Sequence, residues 1–290
     1  MRGWAGYLGF RSLQWVVARL PRPVGYALAI VVSRLALVTA RKARRRLEEN
    51  LGQVEPGLSR ERLRTLVRLN FRFHAKAYAD LMRLPRVPVR EMQPLLTLDG
   101  LDNLEAARAR GKGVLVVAAH LGSWEIVAAI WASSFAPVWL FAEEVEPRAL
   151  FEWYRRTRAR LGIRVVPLGR RGLHQVVDAL RRGEVVITAV DRDLTGTGVS
   201  VPFFGRPARI PSGPAAMALR LGTPLLPVCV YRQEDDRYRG VGLPPIVAEP
   251  TGDRAADVAR VTRQCIAQLE ECIRAHPEQW HMPHVVWDQT

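Results

Sequence analysis

The pattern of apolar and polar positions changes near residue 95 and divides the chain into two parts. Between Ser59 and Leu84, apolar residues recur at spacings of three and four, as on one face of an α-helix. Ser59 followed by Glu61 suits a helix start, and the prolines of residues 85–88 end the segment. We therefore predict a long amphipathic helix here, with His74 on its apolar stripe as a core or groove histidine.

From residue 95 onward, short apolar runs alternate with segments of helical periodicity. The run at residues 113–118 has no polar alternation, which is typical of a strand buried on both faces of a parallel sheet. We predict strands at residues 96–98, 113–118, 138–141, 164–167, 185–190 and 225–231, and helices at residues 101–110, 124–135, 147–161, 172–181, 214–221 and 253–275. The fold class is α/β, with a mostly parallel central sheet flanked by helices.

The N-terminal segment is both basic and apolar. Residues 1–46 contain ten Arg or Lys residues, and the first acidic residue is Glu48. Two helices separated at residues 21–23 fit this segment, and its longest uncharged run of eleven residues is shorter than the ~20 apolar residues that a spanning helix needs. The apolar runs start too late for a signal peptide. We predict that residues 1–92 form a helical region that associates with an anionic membrane surface, and that residues 93–290 form the α/β body. The alternative is that these helices simply pack on the body.

The charge of the whole chain agrees with an anionic partner. The formal net charge is +15, which suits an acidic membrane surface, a phosphorylated substrate or nucleic acid. We see no helix-turn-helix, zinc-finger or aromatic RNA-binding signature, so we expect no nucleic acid. The three cysteines are scattered without a CxxC spacing, so no disulfide framework is implied and a reducing compartment is expected.

A candidate for chemistry follows the buried strand at residues 113–118. His120 lies two residues beyond the strand, and Glu125 falls in the first turn of the next helix. Open α/β sheets bind ligands beyond the carboxyl ends of their strands. A carboxylate on one imidazole nitrogen fixes the tautomer and leaves the other nitrogen free to take a proton. We therefore predict His120 as a general base oriented by Glu125, acting on a substrate hydroxyl; a histidine that caps the helix is the structural alternative.

Several blocks of the sequence resemble one enzyme superfamily. Residues 119–125 resemble the His-x4-Asp/Glu motif of the glycerolipid and lipid A acyltransferases. The blocks that resemble the late acyltransferases of lipid A biosynthesis are residues 20–23, 44–51 and 99–104. The blocks that resemble the phosphatidylinositol mannoside acyltransferases are residues 191–194, 201–205, 211–215 and 276–283. The Phe-Pro-Glu-Gly block of lysophosphatidate acyltransferases is absent, which favours a glycolipid acceptor.

This resemblance implies a fold, a reaction and a location. The fold would be glycerolipid acyltransferase-like. The reaction would move a fatty acyl group from acyl-CoA or acyl carrier protein to a sugar hydroxyl of a glycolipid, with no bound cofactor. The protein would be peripheral or monotopic at the cytoplasmic face of the inner membrane.

The resemblance also implies roles for residues beyond His120 and Glu125. Arg158 and the amides after His120 would stabilise the oxyanion. Asp191 would contact the sugar or His120, Arg192 and Asp193 would shape the pocket, and Ser123 would belong to the substrate-binding set. A surface salt bridge is the alternative for Arg192 and Asp193.

Other uses of the same residues stay open at this point. A metal cluster of His276, His281 and His284 has no common ligand spacing, so we expect no metal. A non-enzymatic protein that binds anionic lipid or nucleic acid, and an acyl thioesterase that uses water as acceptor, are the alternative functions.

Overall fold

A computed structural model of the chain describes residues 2–134, 137–194 and 196–287. The N-terminal part consists of the helices α1 (Arg2–Val17), α2 (Arg22–Thr39), α3 (Arg41–Val54) and α4 (Arg60–Arg83). The predicted long helix is confirmed as α4, and the Ser59 hydroxyl caps it by accepting a hydrogen bond of 3.1 Å from the Arg62 amide. Beyond the two helices predicted before residue 46, a third, α3, starts within that segment.

The helices of the N-terminal part differ in what they bury. Leu47 and Leu51 of α3 and Leu66 of α4 are fully buried in the same apolar cluster as the strands of the body. In contrast, α1 and α2 leave large apolar side chains exposed; these include Trp4, Leu8, Trp15, Val31, Leu35 and Val38. Among the described residues, α2 is the one helix long and apolar enough to cross a membrane by length and composition, with a mean hydropathy of 1.4 over its 18 residues.

The body alternates strands and helices as the sequence predicts. Its strands are β1 (Leu96–Asp99), β2 (Val114–Ala118), β3 (Val138–Ala142), β4 (Ile163–Pro167), β5 (Val185–Ala189), β6 (Val199–Phe203), β7 (Arg206–Ile210), β8 (Leu225–Arg232) and β9 (Tyr238–Gly242). After the short helix α5 (Val89–Met92), which ends the N-terminal part, the helices of the body are α6 (Leu101–Ala109), α7 (Trp124–Ser134), α8 (Arg148–Ala159), α9 (Arg170–Arg181), α10 (Gly213–Leu221) and α11 (Arg254–Ala275). The predicted end of α7 at Phe135 lies outside the described residues.

One sheet organises the described part of the body. Its seven strands have the order β1-β9-β8-β2-β5-β3-β4. The five strands from β8 to β4 run parallel to one another. β9 pairs antiparallel to β8, and β1 runs parallel to β9. The predicted mostly parallel sheet is therefore confirmed. Because β2 lies between β8 and β5, the residues that follow these three strands meet at one edge of the sheet.

Three strands, β6, β7 and β9, were not predicted from the sequence. β6 and β7 form a separate hairpin whose turn residues Phe204 and Gly205 both have positive φ, at 49° and 76°. Two positive φ values match the twist of a tight two-residue hairpin. The indole of Trp287 donates a 2.7 Å hydrogen bond to the Phe203 carbonyl, so the C-terminal tail ties this hairpin to the body.

The structure differs from the sequence-based expectation about cysteines. Cys229 on β8 and Cys272 on α11 are joined by a disulfide with a Cα–Cα distance of 6.1 Å. Both side chains are buried in the same apolar cluster, which brings together residues 43 apart in the chain. Cys265 is free and buried.

Candidate active site

The centre of the site is a hydrogen-bonded pair of His120 and Asp191. His120 follows β2 and Asp191 follows its neighbour β5. The imidazole Nδ1 lies 2.7 Å from one carboxylate oxygen, and the backbone amide of His120 donates a 2.7 Å hydrogen bond to the other. The carboxylate is fully buried, whereas 46% of the His120 side chain is exposed. One ring nitrogen is thus fixed by the protein, and Nε2 remains for a ligand.

The C-terminal tail completes this pair. The indole of Trp280, itself fully buried, donates a 2.8 Å hydrogen bond to Asp191. The His281 amide donates to the His120 carbonyl at 2.9 Å, and Leu121 and Trp280 form an isolated antiparallel bridge. These contacts could not be predicted from spacing, because about 160 residues separate the tail from His120. The one indication in the sequence was the resemblance of residues 276–283 to a family block.

The electrostatics of the pair favour a proton on the imidazole. The charge of Asp191 raises the pKa of His120 above its ordinary value, more than burial lowers it. Burial opposes ionisation of Asp191, but His120 and the hydrogen bonds from its amide and from Trp280 outweigh it and hold the pKa of Asp191 below its ordinary value. The site therefore pairs a buried carboxylate with a half-exposed imidazole and raises the pKa of that imidazole.

Glu125 is not the carboxylate that contacts His120 in this structure. It forms an ion pair with Arg158 of α8, whose guanidinium carbon lies 5.3 Å from the ring centroid of Trp124 and 5.0 Å from that of Tyr154. The expected reach of Glu125 back to His120 is not what the structure has: α7 begins at Trp124, Glu125 pairs with Arg158 on α8, and the carboxylate at His120 Nδ1 is that of Asp191.

The turn between His120 and α7 depends on a glycine. Gly122 has a φ of +62°, and a Cβ at this position would lie 2.2 Å from the Val230 carbonyl oxygen. Its amide donates a 3.1 Å hydrogen bond to the Gln279 carbonyl. Only glycine fits both the conformation and the close approach to β8.

A buried polar network supports the same turn. Ser123, 4% exposed, accepts a 2.9 Å hydrogen bond from Arg232 at the end of β8. Arg232 also forms a buried ion pair with Asp80 of α4 and donates to the Tyr26 hydroxyl of α2 at 2.9 Å. The network joins α2 and α4 to the loop that carries His120.

The remaining predicted site residues lie after β5. Arg192 forms an ion pair of 2.5 Å with Glu143, the residue that follows β3. Asp193 accepts hydrogen bonds of 3.2 Å and 2.8 Å from the amides of Gly196 and Gly198. Both residues line the cavity described next, but Asp193 also stabilises the turn that leads into β6.

A cavity of about 780 Å³ opens at this edge of the sheet. It is within the range of roughly 300–1,000 Å³ that is usual for small-molecule sites. His120, Glu125, Arg158 and Ser123 line it together with the predicted groove histidine, His74. Apolar side chains from the sheet and its helices form much of the wall; they include Ile126, Leu140, Phe151, Met217 and Val228. The cavity can therefore hold a hydrocarbon chain next to His120.

The candidate metal histidines do not come together. His281 and His284 line the cavity, whereas His276 lies 3.2 Å from Glu278. Within residues 2–134, 137–194 and 196–287, no group of three or more His, Cys, Asp or Glu side chains is arranged to hold a metal ion.

Comparison with known proteins shows the family of the chain. The model of the family described as bacterial lipid A biosynthesis acyltransferase matches residues 1–289. The chain is 32% identical over 219 residues to phosphatidylinositol mannoside acyltransferase of Mycobacterium tuberculosis, which covers 74% of this chain and 67% of that protein. It is 27% identical over 286 residues to lipid A biosynthesis lauroyltransferase of Escherichia coli; this alignment covers 98% of this chain and 91% of that protein. The chain therefore belongs to the bacterial lipid A biosynthesis acyltransferase family and is an O-acyltransferase.

Proposed function

We propose that this protein transfers a fatty acyl group from a thioester donor, acyl-CoA or acyl carrier protein, to a hydroxyl of a glycolipid. The observation that carries the proposal is the His120–Asp191 pair, which presents a free imidazole nitrogen to a largely apolar cavity. The names of the relatives, a phosphatidylinositol mannoside acyltransferase and a lipid A lauroyltransferase, support a glycolipid as acceptor.

The chemistry begins at His120. Its Nδ1–H donates to Asp191, so neutral Nε2 takes the proton of the acceptor hydroxyl. The hydroxyl oxygen then attacks the thioester carbonyl carbon and forms a tetrahedral oxyanion. When the carbon–sulfur bond breaks, the thiolate takes the proton back from Nε2, which leaves an ester and a free thiol. Asp191 stabilises the imidazolium that exists between these two proton transfers.

Arg158 is the proposed stabiliser of the oxyanion. Its guanidinium lines the cavity, and within the described part of the chain its buried Nε has no hydrogen-bond partner. A preformed donor in a site that excludes water stabilises developing negative charge strongly. Glu125 accepts a hydrogen bond from Nη2 of this guanidinium, so in this proposal Glu125 positions Arg158.

The polar residues after β2 and β5 are the proposed acceptor side of the cavity. Arg192 lines the cavity and carries a positive charge suited to a phosphate or carboxylate of a glycolipid. Asp193 and Ser123 shape the wall beside it through their hydrogen bonds to the turn amides and to Arg232.

The N-terminal helices are the proposed membrane contact. The exposed apolar side chains of α1 and α2 and the basic residues around them give both apolar area to insert and charge to attract anionic lipid. We place residues 1–92 as the membrane-associating region, residues 93–290 as the catalytic body, and the protein at the cytoplasmic face of the inner membrane.

The test is transfer to an identified acceptor. Purified protein is incubated with radiolabelled long-chain acyl-CoA, or the matching acyl carrier protein, and a phosphatidylinositol mannoside or a lipid A precursor in mixed micelles. We expect labelled glycolipid to form with one of the two donors, and we expect no labelled glycolipid with the His120→Ala variant. Thioester hydrolysis that no acceptor accelerates would favour a thioesterase, and full transfer by His120→Ala would refute the mechanism.

A further inference from the structure

Two further histidines lie beside His120 and have no role in the steps above. His74 of α4 and His281 of the tail both line the cavity, and their rings stack with centroids 3.3 Å apart and planes inclined by 12°. The backbone amide of His281 donates a 2.9 Å hydrogen bond to the His120 carbonyl. The stacked pair is therefore held next to the proposed base.

The surroundings determine which nitrogen of His281 carries hydrogen. The side-chain amide nitrogen of buried Asn70 donates a 2.7 Å hydrogen bond to the Trp280 carbonyl. A carbonyl only accepts, so this bond orients the Asn70 amide and turns its oxygen toward His281 Nδ1, 2.7 Å away. That oxygen also only accepts, and Nδ1 is therefore the protonated nitrogen. In the neutral ring, Nε2 keeps a lone pair.

Both rings remain neutral while His120 takes and returns its proton. Burial, followed by the charges of His74 and His120, lowers the pKa of His281 well below its ordinary value. Burial, followed by the charge of His120, lowers the pKa of His74 to about 3. Within the described residues the His74 ring makes no hydrogen bond; it stacks on His281 and meets the Tyr78 ring edge-on. The cavity wall thus contains neutral imidazole nitrogens that can form hydrogen bonds with a polar ligand.

The lone pair of His281 selects what binds there. It attracts a hydrogen-bond donor and repels a carbonyl oxygen. A sugar offers several hydroxyl donors close to the one that reacts, whereas the acyl chain and the thioester carbonyl offer none. We propose that His281 and His74 form a hydroxyl-binding subsite for the acceptor sugar, in which His281 Nε2 accepts a hydrogen bond from a hydroxyl neighbouring the one that is acylated. This inference rests on the proposed function, since it presupposes acyl transfer to a polyhydroxyl acceptor.

The experiment compares acceptors that do and do not have a neighbouring hydroxyl. Long-chain acyl-CoA is the donor, and the acceptors are a phosphatidylinositol mannoside and 1-decanol, which has one hydroxyl. His281→Phe keeps the flat ring and removes the lone pair; we expect kcat/KM for the glycolipid to fall roughly tenfold, as for one lost hydrogen bond, with transfer to decanol changed less than about twofold. His281→Gln places a hydrogen-bond acceptor, the amide oxygen, at the end of the side chain, and we expect it to recover part of the lost kcat/KM for the glycolipid. We expect His74→Phe also to lower kcat/KM for the glycolipid.

The controls separate this subsite from the function on which it depends. His174→Phe, the same substitution at an exposed position of α9, keeps wild-type kinetics. Thermal unfolding reports whether each variant folds. Equal losses of kcat/KM with glycolipid and with decanol in both His281 variants would show a structural role and overturn the proposal. A rise in the KM of the donor alone would also overturn it, because the lone pair would then bind an amide of the CoA arm. If wild-type protein transfers to neither acceptor, or His120→Ala still transfers, the proposed function itself fails.

Discussion

His120 and Asp191 contact each other because they occupy equivalent places on neighbouring strands. Ala118 of β2 and Ala189 of β5 are register partners, and each functional residue lies two positions beyond its alanine. A separation of 71 residues along the chain thereby becomes a distance of 2.7 Å between Nδ1 and the carboxylate. Parallel strands place their carboxyl ends at one edge, and here that edge carries His120 and Asp191.

The first prediction concerns this pair. Asp191→Asn keeps the size of the side chain but removes the charge that holds Nδ1–H and stabilises the imidazolium. We expect kcat for acyl transfer to fall by about 100-fold or more, a loss typical of a disabled general base. The measurement is initial-rate kinetics with saturating acceptor. A loss below about threefold would show that Asp191 does not orient His120.

The second prediction is a pH dependence. His120 acts as a base only when neutral, and Asp191 raises its pKa above the ordinary value of 6.5. Activity should therefore fall as pH decreases, with a midpoint above 6.5 for free enzyme in kcat/KM. In Asp191→Asn the charge that raises the pKa is gone, so the midpoint of the residual activity should move to lower pH. A midpoint that is the same in both proteins would contradict this assignment.

The third prediction separates the two carboxylates. Glu125→Gln leaves the mostly buried Arg158 without its charged partner, and we expect a loss of stability of about 1–3 kcal/mol together with a lower kcat, since the proposed oxyanion donor is no longer held in place. The midpoint of the pH profile should stay at the wild-type value, because Glu125 contacts Arg158 and not His120. The measurements are denaturant unfolding and kcat/KM against pH. If the midpoint instead moves as in Asp191→Asn, Glu125 is the orienting group.

Local sequence patterns identified the elements that are apolar or strongly periodic. The run Val114–Ala118 could be recognised as a buried strand, which placed His120 at the edge of the sheet. β9 (Tyr238–Gly242) was missed because two of its five residues are glycines, and the β6–β7 hairpin was missed because prolines occupy both strands. Prolines and glycines normally indicate turns, and here the neighbouring strand and the tail override that preference.

The partners of His120 could not be predicted from spacing. Glu125 is close in sequence, but the direction of its side chain depends on the turn at Gly122 and on where α7 begins. Asp191 meets His120 only through the strand order β2-β5, and Trp280 meets Asp191 only through the docking of the tail. No local pattern contains that information, so the resemblance to a family was the one available indication.

The fourth prediction concerns the tail. Trp280→Phe removes the indole hydrogen bond to Asp191, and a hydrogen bond to a charged, buried group is worth about 1.5–3 kcal/mol. We expect kcat to fall about tenfold and the pKa of Asp191 to move up. Trp287→Phe is the matched control, because this neighbouring indole donates to the Phe203 carbonyl and not to the site. If both variants lose the same stability and the same activity, Trp280 acts only through packing.

The last prediction concerns the membrane surface of α2. Leu35 is 65% exposed, and in contact with a bilayer its burial would contribute about 1.5–3 kcal/mol. Leu35→Asp removes this contribution and adds a charge that anionic lipid repels. We therefore expect binding to vesicles with phosphatidylglycerol to weaken at least tenfold in flotation assays. Val247→Asp, at an exposed apolar position outside α1 and α2, is the control and should bind as wild type. Unchanged binding of Leu35→Asp would show that the basic residues alone recruit the protein, and binding would then be lost on raising the salt concentration.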